Sequence, residues 1–487
     1  TSGRGYDTIV ASKGNDVIKL AEFNGADYAN NGYDLILMPK NGLDVSYYAL
    51  TLKDYYKGGF ENFKVKTYSD GHGSSLTGEY TMEQFFNYVV NGIDPYTTTG
   101  TSGNDLIRST GDIDALAGDD VILACSEDTS YINRQTVNAG SGNNSVNVVS
   151  DYSIITGGTG DDTYTISSTV STLVDEGGNN TIYIDRNSGS NNWYYDITLN
   201  GNGNNSVISR TDDIMYPVYK ITATGSGKQI IDVDSSESIS ISEELENHSY
   251  ISHDFSTEIT TGSGDDEISV TSGTVNSGAG ADTITVKNYG KATLKGGEGN
   301  DSYIIEGGAY SDGYGIYSKV IISDTEGTND LTFTNDFMVH DNLHFIFNVT
   351  SGGSLADFTY QKYDEASEGY IPAATGYSGF ICSDLDLVDA GTVSTASYNG
   401  WYYSNGVKFA NEETLNHISK IESSDGYYIS SETLSTVIAQ AASWLTSDSR
   451  NYGSVMDAIR PNGNFDEDNY NALYAIFNNE NTWTQGA

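Results

Sequence analysis

Residues Gly157–Ile166 read GGTGDDTYTI. Three glycines and two aspartates run directly into an alternating Thr/Tyr/Ile segment. Such a stretch is either a tight turn of ordinary turn residues ahead of a strand, or a metal loop. In the second case glycines open the backbone so that an aspartate and several peptide carbonyls converge on one ion. A single copy does not decide between them, but the number and spacing of copies do.

The pattern of spaced glycines, an Asp or Asn, and an apolar residue two places on recurs along the chain. It appears as GRGYDTI (Asp7), KGNDVI (Asp16), SGNDLI (Asp105), AGDDVI (Asp120) and GSGNNSV (Asn144). It continues as GGTGDDTY (Asp162), GGNNTI (Asn180), GNGNNSV (Asn205), GSGDDEI (Asp266), GAGADTI (Asp282) and GGEGNDSY (Asp301). Asp7 and Asp16 are nine residues apart, and the copies from Asn144 to Asn180 follow at steps of 18. Regular self-similarity of this kind marks stacked coils.

The repeat resembles the nonapeptide G-G-x-G-x-D-x-U-x of the RTX, or haemolysin-type, calcium-binding repeats. The resemblance implies a mainly β fold: a parallel β-roll or β-solenoid with calcium turns, flanked by β modules and ending in a short helical C-terminal tail. It also implies Ca²⁺ as the cofactor, at several sites. The metal positions carried over are Asp7, Asp16, Asp105 and Asp120; Gly157, Gly158, Gly160 and Asp162; Gly262, Gly264 and Asp266. They continue with Gly278, Gly280 and Asp282, then Gly297, Gly299 and Asp301. Calcium is a hard cation that takes six to eight oxygens, and these turns offer a carboxylate and carbonyls. The chain departs from a full RTX block in two ways. Over most of the chain the calcium turn is kept on one edge only, and the opposite corner is a plain turn, as in TSGT (Thr271–Thr274) and NYGK (Asn288–Lys291). Amides stand at Asn144, Asn180, Asn205 and Gln229, which leaves either weaker metal sites or a metal-free amide ladder from coil to coil.

Composition agrees with cation dependence. The 487 residues carry 67 acidic against 23 basic side chains, a formal charge of −44. That balance excludes electrostatic nucleic-acid binding and disfavours an anionic membrane surface. Low hydrophobicity and 54 glycines lean toward disorder, whereas 37 tyrosines and strand-like alternation lean toward a fold. Folding completed by cations reconciles the two. No apolar run reaches the length of a membrane span, and no N-terminal secretion signal is read. The opening TSGRGYDTIV lies inside a repeat, as expected of a C-terminal piece or a processed product.

Five segments are expected: a roll fragment (1–23), a β module with a short helix (24–98), a long roll (99–325), a second β module ending in a helix (326–447), and a helical tail (448–487). The modules are read from alternation in DLILM, YYALTL and NFKVKTY, and again from NDLTF onward. Leu434, Val437, Ile438, Ala441, Ala442 and Leu445 form a helical stripe. The tail reads as a signal for a type I exporter or as a cap on the open end of the roll.

No catalytic motif is found, so the chain is read as a non-enzyme. A G-x-S-x-G elbow is absent, and GYSGF only superficially resembles one. HDNLH (His340–His344) has metalloprotease-like spacing, but its flanks read as strands with a turn at Asp341-Asn342. Trp193 and Trp401, each followed by two tyrosines, are either alternately buried strand residues or sugar and protein contacts.

The expected function is a secreted, calcium-binding structural or adhesive protein of a bacterial cell surface, such as a surface-layer subunit or an RTX adhesin region. Its partners would be calcium, other copies of itself, and a surface polysaccharide or protein. Two alternatives stand beside it. One is the calcium-binding and secretion region of an enzyme or toxin whose catalytic domain lies upstream. The other is a polysaccharide-binding module.

Overall fold

Short apolar alternations separated by glycine turns can each form only a narrow strand, so stability must come from stacking one strand on the next coil. The computed structural model follows that rule. It describes residues 5–10, 17–20, 26–30, 35–39, 48–53, 63–68, 76–82, 84–85, 99–109, 112–124, 135–149, 153–167, 170–185, 194–210, 217–235, 238–244, 250–287, 291–306, 319–334, 339–357, 359–364, 369–374, 378–386, 402–447, 450–459, 461, 466–479 and 482–486. The chain divides into two compact units, Thr1–Glu176 and Gly177–Ala487. The protein is mainly β, with long parallel sheets consistent with a β-solenoid and a short helical segment at the C-terminus.

In the first unit, strands Leu106–Ser109, Val121–Ala124, Ser145–Val148 and Thr163–Ile166 pair in parallel, in that order. A second parallel sheet contains Ile113–Asp114, Thr136–Gly140, Ser153–Gly157 and Val170–Asp175. Most of these strands alternate inward and outward, although Val121–Ala124 buries three residues in a row, and an inward column fills the interior. Ile107, Ile122, Val146 and Tyr164 are in register and buried. Upstream, Gly5–Val10 pairs in parallel with Tyr48–Lys53, and Val17–Leu20 with Lys64–Tyr68. Antiparallel partners complete these sheets: Leu35–Pro39 on Tyr48–Lys53, and Leu76–Thr81 on Lys64–Tyr68. The antiparallel strands expected of this region are therefore present, and the first two repeat copies lend them parallel neighbours. Thr81 and Gln84 form a capping box, with the Thr81 N–H donating to Gln84 Oε1 at 2.8 Å and the Gln84 N–H donating to Thr81 Oγ1 at 3.2 Å.

In the second unit one sheet runs in parallel through Thr181–Asp185, Asn205–Arg210, Gln229–Val233, Glu267–Val270, Thr283–Val286, Ser302–Ile305, Asn329–Phe333 and Ile418–Glu422. Its inward column is Ile182, Val207, Ile231, Ile268, Ile284, Tyr303, Leu331 and Ile421, all buried. The facing sheet runs from Tyr194–Leu199 through Val218–Ala223, Glu258–Thr261, Gly273–Ala279, Lys291–Glu298 and Lys319–Ile322 to Tyr402–Phe409. Extra length leaves the coils as excursions. The antiparallel hairpin Ser238–Glu244/Tyr250–Ser256 is one of them.

Parallel stacking stops where antiparallel strands take over. Gly379–Asp386 and His344–Phe347 close one sheet, and Tyr427–Ser430 and Thr484–Gln485 close the other. Helices Ser431–Thr446 and Glu467–Phe477 follow, capped by Ser430 and Asp466. Leu434, Val437, Ala441 and Leu445 of the expected stripe are buried, while Ile438 and Ala442 are half-buried. The tail packs against strand His344–Phe347. Phe477 meets Phe345 and Phe347 ring to ring, and Asn478 Oδ1 accepts the Phe345 N–H at 2.9 Å. Among the described residues no helix is long and apolar enough to cross a membrane.

Candidate functional site

The glycine turns are built alike, and their last two residues bind neighbouring coils in opposite directions. Asp105, which ends the first described turn, is half-buried; from Asp120 on the final residue is buried and, in the following rungs, reaches back. Asp120 Oδ1 accepts the Asp105 N–H at 2.8 Å, Asn144 Oδ1 that of Asp120 at 3.0 Å, and Asp162 Oδ1 that of Asn144 at 2.6 Å. In the second unit Asn205 Oδ1 accepts from Asn180, Asp266 from Gln229, Asp282 from Asp266, Asp301 from Asp282, and Asn329 from Asp301, at 2.7–3.0 Å. The penultimate residue is exposed and reaches forward. Asn104 Oδ1 accepts from Asp119, Asp119 from Asn143, and Asn143 from Asp161. Asn179, Asn204, Asp265 and Asn300 do the same downstream. Coil length varies from 15 to 37 residues between equivalent positions, yet the ladder is kept.

Glycines are required where the turns stack. Gly278 and Gly297 both have φ of +98°, and a Cβ on Gly297 would strike the Gly278 carbonyl of the preceding coil. The same close approach relates Gly280 to Gly264 and Gly299 to Gly280.

The second terminal atom of each rung separates two kinds of turn. In the amide rungs it donates to turn carbonyls. Asn144 Nδ2 lies 3.5 Å from Gly140 O and 3.2 Å from Gly142 O. Asn180 Nδ2 donates to Gly177 O, and Asn205 Nδ2 to Gly203 O. Gln229 Nε2 donates to Gly227 O at 2.6 Å and to Gly203 O at 3.2 Å. Asn329 Nδ2 donates to Glu326 O at 2.9 Å. In the aspartate rungs at 120, 266, 282 and 301 that place is taken by Oδ2, a buried oxygen with no hydrogen-bond donor. All four residues are at most 2% exposed.

Burying a carboxylate oxygen without a partner raises the acid's pKa. Burial, together with nearby carboxylates, pushes Asp301 up to about 7 and Asp282 up to about 6. Asp120 and Asp266 are also raised, again chiefly by burial. These turns therefore call for a proton or a cation, and their donors suit a hard cation: one charged oxygen and the carbonyls that amide hydrogens occupy elsewhere. Gly262, Gly264, Gly278, Gly280, Gly297 and Gly299 lie four and two residues before their aspartates, as Gly140 and Gly142 lie before Asn144. Among the described residues no cluster of three or more His, Cys, Asp or Glu forms a metal group. One buried turn carboxylate per rung does not form such a cluster, and backbone carbonyls would have to supply most of the remaining oxygens.

Two aspartates among the candidates meet other side chains. Asp105 Oδ2 accepts from the Thr101 N–H at 2.5 Å and from the Thr101 hydroxyl at 3.0 Å. Asp162 Oδ2 lies 3.1 Å from the Tyr164 hydroxyl, which is also 2.6 Å from Asp175 Oδ2. Burial and the Asp175 charge push Asp162 up to about 7. Gly157, Gly158 and Gly160 serve this turn, and a Cβ on Gly157 would strike Tyr164 Oη and the Asp175 carboxylate. The arrangement repeats at Tyr303, whose hydroxyl donates to Asp324 Oδ2 at 2.6 Å and accepts the Gly296 N–H at 2.8 Å. Asn329 Nδ2 adds a second donor to Asp324 Oδ2 at 2.9 Å. Sequence reasoning overlooked these tyrosine–aspartate pairs, although a signal was present. The two turns with a tyrosine after the aspartate, GGTGDDTY and GGEGNDSY, also carry a double glycine, which makes room for the ring.

Asp7 lies in strand Gly5–Val10 with its side chain outside the described residues, as are Asp16, Trp193 and Trp401 altogether. HDNLH forms a turn, as expected, with the Asn342 N–H donating to Val339 O at 2.9 Å. Its histidines serve different partners. His340 Nδ1 lies 2.6 Å from Asp425 Oδ2 and His344 Nδ1 lies 2.7 Å from the Tyr474 hydroxyl, so they do not act as one helical pair.

The chain matches no family model, no curated protein and no solved structure.

Proposed function

We propose that this protein is a secreted, calcium-binding structural or adhesive roll of the RTX kind, which completes its fold and assembles at a cell surface when Ca²⁺ fills the acidic turns. The observation that carries the reading is the set of Oδ2 atoms of Asp120, Asp266, Asp282 and Asp301, buried in their glycine turns without a hydrogen-bond donor. A charge of −44 adds a chain-wide reason to take up cations.

Asp266, Asp282 and Asp301, with the carbonyls of their glycine turns, would hold the ions. Bound calcium would supply positive charge to oxygens that have no other partner. The chain's own residues already position the site: Oδ1 of each aspartate is held by a peptide N–H, so Oδ2 is fixed in direction before any ion arrives. Linkage then makes folding depend on calcium concentration, since an ion that binds only the folded state stabilises it. Millimolar extracellular calcium and low intracellular calcium would let the chain fold after export.

Equilibrium dialysis against Ca²⁺ and light scattering of the purified chain test this reading. Multiple bound ions and calcium-dependent assembly support it. A chain that binds no calcium at millimolar concentration contradicts it.

A further inference from the structure

The ladder places two chemically different groups in one position. At 120, 144, 162, 205, 266, 282, 301 and 329 Oδ1 accepts a peptide N–H of the preceding coil, and Gln229 Oε1 accepts the Asn205 Nδ2 at 2.9 Å, which leaves the other terminal atom to the turn. Where that atom is an amide nitrogen it donates to them, as at Asn144, Asn180, Asn205, Gln229 and Asn329. Where it is a carboxylate oxygen it has no donor, as at Asp120, Asp266, Asp282 and Asp301. An amide NH₂ presents positive hydrogens to carbonyl oxygens, and a carboxylate oxygen repels them. The two are nearly isosteric, so the difference is one of charge and hydrogen rather than shape.

We infer that Asn144, Asn180, Asn205, Gln229 and Asn329 perform with their own amide hydrogens the task for which the aspartate rungs need a cation. The roll is thus a mosaic. In the second unit the rungs at 180, 205 and 229 are self-sufficient, those at 266, 282 and 301 form one contiguous cation-dependent block, and Asn329 closes that block on its far side. In the first unit the oxygen without a donor is that of Asp120; Asn144 supplies its own donors, and Asp162 Oδ2 competes with Asp175 Oδ2 for the one Tyr164 hydroxyl hydrogen. Identifying the cation as calcium rests on the function proposed above. The equivalence of amide and cation does not.

The regulatory consequence is local. Removing the cation should loosen residues 262–305 and leave the amide-bearing coils on either side closed, since local opening follows local satisfaction of buried groups. The roll would have a responsive segment set between permanent ones.

Three substitutions in the full chain test this, with thermal midpoints read at pH 8 in chelator and in millimolar Ca²⁺. D282N should raise the midpoint in chelator by roughly 2–4 °C, the scale of one buried polar group in a large domain, and lose part of the calcium-induced rise. N144D should lower the midpoint in chelator and recover it in calcium. D265N removes the same charge from the exposed neighbouring rung, whose Oδ1 accepts the Ala281 N–H, and should leave the midpoint in chelator nearly unchanged. Hydrogen exchange of the wild-type chain in chelator should show faster amides in 262–305 than in 205–233.

If D282N destabilises in chelator, or shifts the midpoint no more than D265N, the amide equivalence is overturned. If D282N stabilises in chelator while the wild-type chain ignores calcium, the equivalence stands and the calcium reading falls. If the wild-type chain responds to calcium but N144D loses nothing in chelator, the equivalence falls and the calcium reading stands.

Discussion

Asp282 accepts the Asp266 peptide N–H through Oδ1 at 2.8 Å and leaves its Oδ2 buried without a donor. The contact both stitches two coils and fixes an unsatisfied oxygen in place. The coil-to-coil contact and the unsatisfied oxygen therefore belong to one side chain, and changes to the turn should act on both.

Replacing the carboxylate by a methyl separates the two roles. Asp282→Ala removes the acceptor of a buried N–H, which costs about 1–3 kcal/mol. It should lower the thermal midpoint even in chelator, where Asp282→Asn raises it. Thermal unfolding of both variants under the same buffer checks the opposite signs.

Gly297→Ala should destabilise the second unit by about 1–3 kcal/mol, because it places an L-residue at a φ of +98° and drives a methyl into the Gly278 carbonyl. Calcium should not rescue it fully, since the clash lies between backbones. Urea unfolding with and without Ca²⁺ measures this.

Tyr303→Phe removes a donor from Asp324 Oδ2 and an acceptor from the Gly296 N–H, at a cost of about 1–3 kcal/mol. Asn329 Nδ2 still serves Asp324, so the fold should survive. Tyr164→Phe should act similarly on Asp175, and the midpoints of both variants provide the check.

The mainly β, stacked-strand class was legible because each repeat copy fixes the inward residue, although coil length varies from 15 to 37 residues. Ile268, Ile284 and Tyr303 sit two places after their aspartates and form one buried column, as spacing predicts. The buried helical stripe at Leu434, Val437, Ala441 and Leu445 was legible for the same reason. Partner choice was less legible. That Asp105 meets Thr101, or that Asp162 meets Tyr164 and through it Asp175, depends on which coil lies next and how its side chains are aimed. The penultimate Asn/Asp ladder was hidden in plain composition, because its residues read as ordinary turn formers until Asp119, Asn143 and Asp161 are seen stacked.

Acid should partly replace the cation. Burial foremost, with neighbouring carboxylates, holds Asp282 at about 6 and Asp162 and Asp301 at about 7 in the folded chain, above an unfolded value of about 3.9. A raised folded pKa favours the folded state fully below the unfolded value, and that contribution is lost as pH rises through the folded value. In chelator the midpoint should thus climb as pH falls from 8 to 5. The double substitution D282N/D301N should flatten that climb, as a midpoint series across pH would show.

The most direct measurement is circular dichroism of the full chain during Ca²⁺ titration from chelator at pH 8, with bound calcium counted in parallel. The account predicts that strand signal and thermal midpoint rise together with ions bound, and that substituting Asp266, Asp282 and Asp301 with Asn abolishes most of the response while preserving strand content. A wild-type chain whose spectrum and midpoint are indifferent to calcium, with no ion bound, would contradict it.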